Sequence, residues 1–230
     1  MSAAALSPPA RRRWWWSLWS LLAALAIAIA VYFVTPYLLG RSTIPIDRAI
    51  VGYYTSLVVH AVHAVPAGLT LVLGPWQFVP RLRARFPRLH RLTGRVYLIS
   101  VVGAAAAASY ATVVTPSGFP LQVAFSVLIV AWLYTAYQGY RTIRRGDVRQ
   151  HRIWMIRNYT LTFAAVTLRL YLMLGTALMP VIPALQFRDV YTASAWLSLL
   201  GNVLVAEYFI VQRARAGRQR DARALVPQPA

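Results

Sequence analysis

Cysteine and lysine are both absent from this chain, and only five of its 230 residues are acidic. Without thiols there is no disulfide, no thiolate metal site and no cysteine nucleophile. Five carboxylates, none paired at catalytic spacing, leave general acid–base catalysis almost nothing to work with. No glycine-rich phosphate loop, GxSxG or HExxH pattern occurs. Charge of either sign is scarce as well. Charged residues make up 13%, against about a quarter in a soluble domain of ordinary composition. That is too few polar groups to cover a globule.

What the chain has instead is apolar length. Hydrophobic residues make up 59%, mean hydropathy is +0.53, and the apolar residues fall in several runs of roughly twenty. The expected fold class is all-α: a polytopic transmembrane helical bundle. Six spans are expected, at about 14–39, 50–74, 96–114, 121–140, 153–178 and 191–211, forming one domain over 14–212. Residues 1–13 and 213–230 are expected to be disordered. The first apolar run follows a basic cluster as a secretory signal does. It is nearer twenty-five residues than the roughly 7–15 of a signal core, so a retained helix is expected.

All 24 basic residues are arginine, and the net charge is +19. They sit in short connectors, with no continuous basic face and no recognition motif, so nucleic acid is not an expected partner. Three lie at 11–13, six at 81–95, six at 141–157 and five at 213–223, whereas the alternate connectors hold only Arg41, Arg48 and Arg188. By the positive-inside rule, both termini are cytoplasmic and the protein resides in a bacterial inner membrane. Anionic lipid headgroups are expected partners of these arginines. A homo-oligomer or a partner membrane subunit is compatible with the bundle.

Ionisable groups inside a bilayer are costly, so each is a candidate. His60 and His63 share one face of the second span, roughly 15–20 Å below the outer surface, and Arg169 lies roughly 13 Å below it. With Glu207, roughly 9 Å from the inner surface, they form a candidate buried polar site, read either as interhelical hydrogen bonding or as the centre of a small proton-coupled transporter. No carboxylate accompanies the two histidines at their depth, so no metal site is expected. His90 and His151 stand at the cytoplasmic starts of the third and fifth spans. Histidines on alternate rising helices can sandwich a haem b between two imidazoles; interfacial histidines among headgroups are the plainer reading. His90-Arg91 with Arg95 and Tyr97 is echoed by His151-Arg152 with Arg157 and Tyr159, which suggests either a repeated two-helix unit or two similar membrane-entry segments.

The segments GPWQF (74–78), LHRLTGRVY (89–97) and QHRIWMIRNYTLTFAAVTLRL (150–170) resemble the bacterial predicted membrane proteins of domain of unknown function 2306. The resemblance spans roughly residues 50–175 and implies that His63, His90, His151, Arg157 and Arg169 lie inside motif blocks. It implies no activity. The layout is also loosely similar to cytochrome b561-like proteins, but no histidine stands on the fourth span or on the outer half of the fifth or sixth. The expectation is therefore an integral membrane protein without assignable catalysis, and the alternative is a haem-binding redox protein.

Overall fold

The computed structural model describes residues 8–39, 57–115 and 117–224, and within these the regular structure is helical throughout. The helices are α1 (Pro8–Leu38), α2 (Leu57–Gln77), α3 (Pro80–Arg85), α4 (Pro87–Val114), α5 (Phe119–Arg144), α6 (Val148–Leu178) and α7 (Phe187–Ala224). Among the described residues five segments are long and apolar enough to cross a bilayer: Arg13–Pro36, Pro87–Val113, Phe119–Arg144, Val148–Leu178 and Phe187–Ile210. The expected second span corresponds to α2, and its first residues, 50–56, lie outside the described residues, as does the connector holding Arg41, Asp47 and Arg48.

The helices extend beyond the apolar runs at their arginine-rich ends. The third span, expected from 96, starts at Pro87, and the fifth, expected from 153, starts at Val148. The first begins at Pro8 where disorder is expected to 13, and the last runs to Ala224 where a disordered tail is expected from 213. Arginine and alanine are good helix formers, so the basic connectors need not break the helix. The breaks come from other signals. Proline at the first position starts α3 and α4, where the missing N–H is one of the orphan donors anyway. Asp147 caps α6, its carboxylate accepting from the Gln150 N–H at 2.9 Å. Just before it, Gly146 turns the chain at φ +77°, a conformation that favours glycine.

Contacts divide the chain into two compact units, residues 1–116 and 117–230. In the first, α2 packs between α1 and α4, and α3 lies on α4. In the second, α6 packs against α5 and α7, which also touch each other. The two echoed segments begin α4, the last long helix of its unit, and α6, the middle one of its own.

Small residues set the closest approaches, as expected where lipid gives no hydrophobic drive between helices. Ala104 and Ala105 of α4 are fully buried, within the Gly103–Ser109 stretch. A side-chain carbon at Gly68 would meet Val34 of α1 at 2.6 Å. The outer faces are the reverse of a water-soluble protein. Ile99, Val113 and Leu204 are at least 70% exposed, whereas Thr70, Asn158 and Ser198 are at most 1% exposed. That inversion is what a hydrocarbon solvent selects.

Candidate functional site

The second unit holds a ladder of polar contacts centred on α6. His151 lies in the first turn of α6, and its Nδ1–H donates to the Gly139 carbonyl of α5 at 2.8 Å. Gly139 makes this reach short: a side-chain carbon there would meet Met155 Sδ at 2.7 Å. One and a half turns along, Arg157 grips Glu207 of α7 with both arms, Nε to Oε1 at 2.6 Å and Nη2 to Oε2 at 2.9 Å. The two side chains are 29% and 37% exposed, so the pair sits at the edge of the helix packing rather than in its centre. The Arg157 guanidinium also lies 4.7 Å from the Trp154 ring centre, a cation–π contact, and Trp154 meets Tyr134 edge-on.

Next along α6 is Asn158, wholly buried. Its amide donates to the Trp132 carbonyl at 2.8 Å and to Thr135 Oγ1 at 2.9 Å. Trp132 in turn donates its indole N–H to Thr162 Oγ1, and Thr162 donates to the Asn158 carbonyl. On the other flank, Asn202 of α7 donates to the Thr160 carbonyl and to Thr167. Each buried polar group in this chain of contacts has a partner, which is the condition for carrying it into a low-dielectric interior. Further out, Arg169 Nη1 donates to the Ala165 carbonyl one turn back on its own helix at 2.8 Å.

The first unit has its own polar points. His63 Nδ1–H donates to the Ala104 carbonyl of α4 at 3.0 Å. The imidazole of His60 lies outside the described residues. Gln77 donates to Thr93 at 2.6 Å and ties the end of α2 to α4. His90 borders a cavity of about 260 Å³, together with Leu73, Trp76, Gln77, Leu82, Arg83, Leu89 and Thr93.

These segments decide the affiliation. A family model described as "Predicted membrane protein (DUF2306)" matches residues 60–210. The chain belongs to this family. Neither a curated protein nor a solved structure matches it.

The matched stretch of this DUF2306 protein contains all six residues singled out from the sequence: His60, His63, His90, His151, Arg169 and Glu207. Glu207 is brought together with Arg157, which the sequence places both in the basic connector and, by the family resemblance, inside a motif block. It is not paired with Arg169, in keeping with the difference in depth. His63 and His90 belong to the first unit and His151, Arg169 and Glu207 to the second. Asn158, Trp132, Thr135 and Thr162 were missed. An asparagine flanked at i+4 by threonine inside an apolar helix was the available signal. Among the described residues no cluster of three histidine, aspartate or glutamate side chains is placed to hold a metal ion.

Proposed function

We propose that this DUF2306 protein is a six-span component of the bacterial cytoplasmic membrane, with both termini and its arginine-rich ends inside, that acts as a binding or accessory subunit without catalysis of its own. What supports the reading is the use made of Glu207. It is the carboxylate set furthest into the apolar helices, and Arg157 occupies both of its oxygens. A carboxylate so held joins α6 to α7 and has little left for proton transfer. The test is a rescue experiment on folded yield and thermal midpoint in detergent. Glu207→Gln and Arg157→Leu should each lower both, and Glu207→Met combined with Arg157→Leu should restore part of the loss, because neither charge is then left without its partner. A Glu207→Gln protein with unchanged yield and midpoint would free the carboxylate for another role and contradict the reading.

A second reading, haem binding at His151, has one observation in its favour. With Nδ1–H donated to the Gly139 carbonyl, the lone pair is on Nε2, the tautomer and anchoring typical of a metal-ligating imidazole. The second ligand expected from the sequence, His90, belongs to the first unit. The cavity beside it, at about 260 Å³, falls below the roughly 300–1,000 Å³ of small-molecule sites, so the haem reading leans on His151. A bound haem would supply one-electron redox chemistry there. Purified protein showing a Soret band that vanishes in His151→Ala supports it; a colourless preparation from haem-replete cells rejects it.

A further inference from the structure

The first unit also carries an open surface cavity of about 560 Å³, lined by Arg13, Trp16 and Ser17 of α1 and Arg81 of α3. Its formal charges are two guanidinium groups. Among the described residues the ion pair formed is Arg157–Glu207, so no described carboxylate neutralises Arg13 or Arg81. Both side chains are exposed. The Ser17 hydroxyl donates to the Arg13 carbonyl at 3.1 Å, which commits its proton and leaves anion recognition to the two arginines.

The depth of this cavity follows from its rings. Trp16 packs edge-on against Trp19 with centres 5.7 Å apart, and Trp19 against Trp76 at the same distance. Trp76 lines the smaller cavity, where Arg83 and His90 also lie. Tryptophans gathered where two helices meet beside basic residues are characteristic of headgroup level. Uncompensated guanidinium groups at that level, beside an aromatic wall, match a phosphodiester with an acyl chain below it.

We propose that Arg13 and Arg81 hold the phosphate of an anionic phospholipid in this cavity, with Trp16 against its glycerol and upper acyl region. Free phosphate offers the same oxygens to the arginines but nothing to Trp16, so the lipid is the occupant to which the geometry points. The site rests on the orientation proposed above only for the choice of leaflet. Binding in detergent is blind to sidedness, so failure here and failure of the orientation are read in separate experiments.

Full-length protein is purified in a neutral detergent, and native mass spectrometry and thermal midpoint are recorded with phosphatidylglycerol, phosphatidylcholine or inorganic phosphate added. Phosphatidylglycerol should be retained and should raise the midpoint, whereas phosphatidylcholine and inorganic phosphate should do neither. Arg13→Gln with Arg81→Gln should weaken phosphatidylglycerol binding on the order of tenfold or more. Arg144→Gln with Arg145→Gln, which removes equal charge from an exposed turn of the second unit, should change it less than about twofold. Arg13→Lys with Arg81→Lys should keep part of the binding, since charge remains while the guanidinium fork is lost. Should the double Gln variant fail to fold, Arg81→Gln alone, exposed on a six-residue helix, carries the comparison. Three results would overturn the proposal: no preference for phosphatidylglycerol over phosphatidylcholine, equal losses in the two double Gln variants, or inorganic phosphate stabilising as well as the lipid.

Discussion

Asn158 sets the residue-scale logic of the second unit. One fully buried amide, on the middle helix, answers a backbone carbonyl and a hydroxyl of α5. Replacing it with leucine removes both bonds, while the backbone carbonyl of residue 158 that anchors the Trp132–Thr162 contact stays in place. Asn158→Leu is expected to cost about 1–2 kcal/mol, the upper end for polar contacts between membrane helices. A thermal or denaturant titration of the purified protein checks this, and a neutral result would mean the network is incidental. The Arg157–Glu207 pair, about a third exposed on either side, should show a smaller coupling of about 1 kcal/mol in a double-mutant cycle. Little of this was legible beforehand. Glu207 stands out in sequence because acid is rare in this chain, but its partner sits among five other arginines of one connector, and nothing in spacing alone separates Arg157 from a topology signal. Rotation about the α6 axis does, and that emerges only when α6 packs.

At the scale of elements, glycine placement and neighbour stiffness together make an ordered prediction. Added carbons at Gly68 and Gly175 run into Val34 and Val190, β-branched side chains with little rotamer freedom. At Gly139 the obstacle is Met155 Sδ, near the end of a flexible side chain. Gly68→Ala and Gly175→Ala are therefore expected to destabilise by about 1–3 kcal/mol, the range for overpacking, and Gly139→Ala by less. Melting temperatures of the three variants test the order; Gly139→Ala as the worst of the three would contradict it. Helix existence was readable from apolar length, and helix ends were not. Charge halts a membrane span, so the arginine-rich segments read as connectors, but charge does not halt a helix. The real stops are Pro80, Pro87, Gly146 and the Asp147 cap, all visible in the sequence and outweighed by the hydropathy contrast.

The whole molecule reads as a membrane protein on three grounds: five apolar helices of spanning length, buried polar residues with exposed aliphatic ones, and membership of a predicted membrane family. The fold class was plain in the composition because a chain with so little charge has no other way to satisfy its backbone. Which helix lies in the middle of each compact unit was hidden, since that depends on packing and not on apolar length. Sidedness is the claim on which the proposed orientation of the arginine-rich ends and the proposed inner-membrane location converge. The absence of native cysteine makes it directly measurable, because each introduced thiol is the sole target. Single variants Ala84→Cys, Arg145→Cys, Phe119→Cys and Ala184→Cys, all at exposed positions, are treated in intact inner-membrane spheroplasts with a membrane-impermeant maleimide. The account expects labelling at 119 and 184 at once, and at 84 and 145 only after the membrane is opened. Labelling of 84 and 145 from outside would contradict it.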